Sequence, residues 1–432
     1  MPKMPTTAET HYTAGIYVVD GRYLAKKSAR DKVARGAITN AGARNVSIDA
    51  RQDDFNAVLV RGKSHFELAD STIEVHGDGS NDFLGLGAAL MTEGGAEMTV
   101  RNVHVTTNGL ISPAAASFGT GGLHIRDSTL QANGGTLPPG YKPTIGPGMK
   151  EVPAPLGITG TARAVLVTGE SRTYVDDSTV IAQGWGALST DACHGAYLEA
   201  NNTKVRVIKS GYGTYADNGC AVAINHSDFD VATYGGIIAG EAKMDFNDST
   251  VASGGNVVMI HSVMGRGPEV AHFGLHGGDY RSDGPAILVK SANADIVIDG
   301  AKVYGKDGTL LKGIVNDDSH ATKVNGQKVP GIRVAIRNTT LDGAVLMQDG
   351  DRRMQVSLQS ATLDGAVVNA ELDLDPASRW KATADSKVLL GASVGLSQID
   401  APAGVVIDAV SAKGAIASGR HVLPGGGKIV VK

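Results

Sequence analysis

Aromatic side chains are scarce, at 5% of the 432 residues, which excludes a thick core built around large rings. There are only two cysteines, Cys193 and Cys220, too few for a disulfide framework. They fall near the same corner of adjacent repeats, and either one bridge or two buried thiols would fit. No apolar run approaches the roughly 18–20 residues that a membrane helix needs. The opening MPKMPTTAETHYTAG lacks a hydrophobic signal core. A cytoplasmic chain or one whose signal has been removed would fit, and a secreted or periplasmic origin is the favoured expectation. Neither charge dominates: the formal net charge is −4, so nothing argues for nucleic acid as a partner. Helical periodicity is nearly absent too. Residues 25–37 (AKKSARDKVARGA), rich in Ala, Lys and Arg, are the one helix candidate.

Glycine, by contrast, is abundant at 57 residues, and it punctuates a repeat. Its clearest copy is YVDDSTVIAQGWGALSTDAC (174–193), with relatives such as LADSTIEVHGDG (68–79), IRDSTLQANGG (125–135), NHSDFDVATYGG (225–236) and FNDSTVASGG (246–255). Aligning the threonine positions Thr179, Thr203, Asp228 and Thr250, and Thr340 with Thr362, predicts a period of about 22–26 residues. Apolar runs inside it are short, β-branched and alternating, as strands require. The predicted fold is all-β: a right-handed parallel β-helix of three sheets. Residues 1–44 are expected as an N-terminal cap, 45–370 as the body, and 371–432 as a C-terminal cap with Trp380 over the last coil. The Asp/Asn-Ser/Asn-Thr triplet reads as structural, because Asp and Asn tolerate bent backbone and bond neighbouring amides. Three excursions interrupt the repeat, at 136–162, 262–271 and 316–330, and are expected to edge one sheet.

On that sheet the third strands align as 187–191, 213–217, 237–241, 257–261 and 286–290. Alternation turns their first, third and fifth residues outward. One outward column is then Asp191, Asp217, Glu241, His261 and Lys290; its neighbour contains Ser189 and Tyr215. Carboxylates on successive levels, roughly 4.8 Å apart, repel unless one keeps its proton or a cation lies between them. The expected catalytic set is therefore Tyr215, Asp217, Asp191, His261 and Glu241, with Asp217 as proton donor. Arg163, Trp185, Tyr212, Tyr234, Lys290 and Arg266 are the expected substrate contacts. No cofactor is expected, though a divalent cation could sit at the carboxylate column, and no dedicated metal site is read. His272 and His276 are too far apart on a strand to share a metal, and His226 reads as structural.

The repeated DST turns and Gly corners resemble those of the pectate-lyase-like superfamily of right-handed β-helix proteins, across about 320 residues. DDSTVIAQGWGALSTD is similar to little-characterised bacterial and fungal members. LDPASRWKATADSKV is similar to autotransporter passenger β-helices. The pectin-degrading signatures are incomplete, since Asp317-Asp318 is not followed by Gly-His-Gly, and Arg-x-Pro-x-x-Arg is absent. The outward acid/base column makes the expected function a lyase, isomerase or hydrolase acting on a carbohydrate or other hydroxylated substrate. The rival is a non-catalytic adhesin or structural passenger. Oligomeric state is left open.

Overall fold

The computed structural model describes residues 6–262, 269–316 and 331–432. It is all-β, with 58% strand and mostly parallel pairing, and the only helical turns among the described residues are three-residue 3-10 segments. Two compact units are present, Met1–Gly235 and Gly236–Lys432.

In the first unit three ladders of parallel strands run side by side. One passes through Glu97–Thr107, Gly122–Arg126, Arg172–Asp176, Tyr197–Asn201 and Ala221–Asn225. The second links Glu97–Thr107, Thr129–Ala132, Thr179–Cys193, Lys204–Ala216 and Asp228–Val231. The third runs from Thr13–Val19 through Phe55–Arg61, Leu90–Glu93, Ala115–Ser117 and Arg163–Gly169 to Thr179–Cys193. Each strand pairs with its copy one repeat away, so the chain must turn a corner between ladders.

The recurrent triplet makes one of those corners. Asp70, Asn102, Asp127, Asp177, Asn202 and His226 all adopt φ between 48° and 53°, the left-handed region where Asp and Asn are enriched. The following hydroxyl stitches the repeats together. Ser178 Oγ accepts the Ser128 amide of the preceding repeat at 3.1 Å and donates to the Asp176 carbonyl at 2.7 Å. Ser71, Ser128 and Ser227 do the same. These serines are buried, so each hydrogen bond satisfies two polar groups away from water.

The register corrects one alignment. Thr179 pairs with Lys204, not Thr203. Thr203 takes the serine place instead, donating to the Asn201 carbonyl at 3.0 Å while its amide is received by Ser227. Thr340 pairs with Thr362 as expected.

In the second unit one ladder runs from Lys243–Asn247 through Val270–His276, Asn293–Asp299, Ile332–Arg337, Met354–Gln359, Val367–Leu374, Ser386–Leu390 and Val406–Ser411 to Lys428–Val431. Another contains Asn256–His261, Ile287–Lys290 and Thr309–Ile314.

Both ends differ from expectation. Residues 25–37 form no α-helix: Arg30–Lys32 is a single 3-10 turn, and Val33–Ile38 pairs antiparallel with Gly42–Ala50. Sheet pairing satisfies that backbone, and helix propensities of a few tenths of a kcal/mol per residue are readily overridden by such contacts. Parallel pairing also starts earlier than residue 45, at Thr13–Val19. Trp380 does not cover the last turn. It is wholly buried, in register with Leu363 on one side and Ile399 on the other, and its indole N–H bonds the Gly365 carbonyl.

Candidate active site

The candidate site lies on the third ladder of the first unit, around its strands Arg163–Gly169, Thr179–Cys193 and Lys204–Ala216. Its strands are apolar on both faces. Ala164, Val165, Leu166 and Val167 are all fully buried. One face carries the column Tyr17, Leu59, Met91, Ala116 and Leu166, packed with Ala14, Ala88 and Phe118 into a buried cluster. The expectation of an open outward face is therefore corrected at Ser189, the next residue in that column. Ser189 is wholly buried, and its hydroxyl shares a 3.0 Å hydrogen bond with that of Tyr212.

Arg163 opens the strand Arg163–Gly169 and is 1% exposed. Its Nη1 donates to Asp191 Oδ2 and its Nη2 to Asp82 Oδ2, each at 2.6 Å. The guanidinium lies between two rings, 5.0 Å from the centroid of Phe83 and 4.8 Å from that of Trp185. Burial alone would favour loss of its proton, but Asp82 and Asp191 outweigh that and hold it charged. Burial pushes the Asp82 carboxyl up, against the pull of Arg163. Trp185 and Tyr212 are 2% and 1% exposed, so neither offers a free ring face. Tyr234 is half-buried.

Asp191 and Asp217 come together as the alignment predicted. Ser189 pairs with Tyr215, which puts the two carboxylates one strand spacing apart, beyond the last paired residues. Both are half-buried. Asp191 faces the buried guanidinium. Asp217 is pushed up to about 7, first by burial and then by the Asp191 charge, while the amides of Asn218 and Ala192 oppose the shift. The Ala192 N–H donates to Asp191 Oδ1 at 2.8 Å and to Asp217 Oδ2 at 3.3 Å. Tyr215, half-buried beside them, is held well above the usual phenol range by burial and then by the two carboxylates. Its ring centroid is 5.3 Å from that of Tyr212, whose phenol burial pushes up to about 12.

The rest of the predicted column belongs to the second unit. Glu241 is exposed, and His261 and Lys290 are paired in register. Arg266, with most of the second and third excursions, lies outside the described residues. The first excursion borders the same strands as Arg163. The Thr159 carbonyl receives the Trp185 amide at 2.8 Å, and the Thr159 amide donates to Ser210 Oγ at 2.9 Å.

Asp82 was invisible in the sequence. It stands 81 residues before Arg163, in the 3-10 turn Asp82–Leu84, and no spacing rule links the two. The burial of Ser189, in contrast, left a trace. The runs Ala57-Val58-Leu59-Val60 and Ala164-Val165-Leu166-Val167 do not alternate with polar residues, which marks strands covered on both faces.

Cys193 and Cys220 are bridged, with Cα atoms 5.5 Å apart. Among the described residues no three His, Cys, Asp or Glu side chains gather closely enough to hold a metal ion, and no helix is long and apolar enough to cross a membrane. Two shallow grooves of about 370 and 440 Å³ lie on the second unit, one bordered by Arg353, Lys387 and Lys432 and the other by Asp295 and Arg333. None of the predicted site residues lines either groove. The carboxylate pair is the better candidate, because there a desolvated carboxyl adjoins a carboxylate clasped by a buried guanidinium. Neither the protein-family models nor the curated proteins include a match to this chain.

Proposed function

We propose that the chain is a right-handed, three-sheet parallel β-helix of the pectate-lyase-like kind, and that it is an acid/base enzyme acting on a carbohydrate or similar hydroxylated substrate. The observation that carries the reading is the Asp191–Asp217 pair. Asp191 is neutralised and held by a buried guanidinium at 2.6 Å. Asp217, one strand away, is desolvated beside that negative charge. A desolvated carboxyl that keeps its proton beside a carboxylate paired with a guanidinium supplies an acid and a base on one site. Asp217 in its acid form would protonate a substrate oxygen, and Asp191 would accept a proton or steady a positive charge. The Tyr215 phenol, which keeps its proton, is the alternative donor for a lyase or isomerase. The disulfide suits an oxidising compartment, in line with a secreted or periplasmic enzyme. None of these residue roles calls for a cofactor, and a divalent cation between the carboxylates is the variant that addition of chelator would test.

The test is turnover on a panel of neutral and acidic oligosaccharides, followed by new reducing ends and by unsaturated products. Asp217→Asn or Tyr215→Phe is expected to lower turnover at least ~100-fold while β-type circular dichroism is retained. Wild-type rates in both variants would sink the reading. The burial of Trp185 and Tyr212 favours a second one, a non-catalytic adhesin or structural passenger, since rings withdrawn from the surface cannot grip a polymer. That reading leads if no substrate is turned over while glycan or surface binding is retained.

A further inference from the structure

Ladder pairing between Thr179–Cys193 and Lys204–Ala216 runs as far as Ser189 and Tyr215. Asp191 and Asp217 sit just past that point, where ladder pairing no longer sets the spacing of the two carboxyl groups. Two features set it instead. The first is a bulge: Thr168 pairs with Asp191 but Gly169 with Cys193, so Ala192 is an extra residue. Its φ is 49°, and this turn aims its N–H at both carboxylates. Bulges re-aim side chains in this way beside functional sites. The second is the Cys193–Cys220 bridge, which begins one residue after the bulge and joins residues 27 apart in sequence, a span that contains one whole repeat. On the other side, the Cys220 amide bonds the Asp217 carbonyl at 2.9 Å, and Gly219 takes φ 81° to allow that turn. Both cysteines are thus tied within a few residues to the carboxylates they follow.

We propose that the Cys193–Cys220 disulfide is a positioning element for the Asp191–Asp217 pair, and that reducing it separates the two carboxylates and disables the proton donor. The inference rests on the acid/base reading above. The reduction is a thiol–disulfide exchange: an external dithiol gives two electrons and two protons, the S–S bond becomes two thiols, and the dithiol closes to its own disulfide. Cys193 is half-buried between the exposed Ala192 and His194, which gives a reductant an approach. The groups that bear on Asp217 are Asp191 on the adjoining strand, itself paired with Arg163, and Tyr215 on its own strand. Of these, the bridge fixes the distance to Asp191 most directly.

The experiment follows Asp217 by carboxyl ¹³C NMR titration. It compares the oxidised protein, the folded protein treated with dithiothreitol, and Cys193→Ser/Cys220→Ser. Chemical reduction of the folded chain keeps the test open if the double variant does not fold. The expected result is a midpoint near neutrality in the oxidised protein. In the reduced and serine forms it falls by at least about one pH unit, a tenfold change in acidity, while β-type circular dichroism persists and any turnover at neutral pH falls at least tenfold. A near-neutral midpoint that does not move on reduction overturns the positioning role and leaves the acid/base reading standing. An oxidised protein in which Asp217 titrates like an ordinary carboxylate overturns both.

Discussion

Asp217 was legible at the level of single residues in part: its neighbour Asp191 follows from strand register, which a repeat displays, whereas the burial that contributes most to its shift does not. The alignment put it level with Asp191, and the register of Ser189 with Tyr215 agrees. The roles imagined for Trp185 and Tyr212 needed exposure, which alternation alone does not establish. A raised carboxyl affinity also has a sign in stability. Protons bind the folded state more tightly, so Asp217 contributes stability below its ordinary unfolded value of about 4, and this contribution is lost as pH rises through about 7. The difference in melting temperature between wild type and Asp217→Asn should therefore shift in favour of the variant between about pH 5 and pH 8. A difference that stays flat with pH would mean that Asp217 is not shifted. Arg163 gives a harsher prediction. Arg163→Met leaves Asp82 buried without its cation and should cost about 3–5 kcal/mol in urea denaturation, as breaking a buried pair does. A loss below about 1 kcal/mol would show that the pair is not buried in solution.

At the scale of elements, the DST corner was read correctly as structural, and its stitching makes a graded prediction. Ser178→Ala strands the buried Ser128 amide and should destabilise by about 1–3 kcal/mol. Ser178→Thr should be nearly neutral, since Thr203 already fills the same place one repeat on. Equal losses from both variants would show that the hydroxyl is not what matters. The 136–162 excursion divides in the same way. Residues 136–147 are largely exposed, whereas Met149, Val152, Leu156 and Ile158 are buried, Thr159 bonds the neighbouring strands, and Thr161 bonds Gly135 and Ile111. Shortening 136–147 should leave the melting temperature unchanged, and deleting 149–161 should lower it by several degrees. The helix expected at 25–37 failed because propensity is local, whereas the partner strand Gly42–Ala50 is supplied by the fold.

For the whole molecule the expectation is a far-UV circular dichroism spectrum of pure β type; a helical double minimum would contradict the fold. The sequence by itself determined the all-β class, the repeat length, the parallel stacking and the alignment of Asp191 with Asp217. These follow from periodicity and turn chemistry, which act over a few residues and recur. Tertiary structure alone decided that the third ladder is covered on both faces and that Arg163 is clasped by Asp82. It also decided that Cys193 and Cys220 are bridged beside the carboxylates. Each of those depends on which distant segments come to rest against a strand, and burial, pairing and proton affinity follow from that contact.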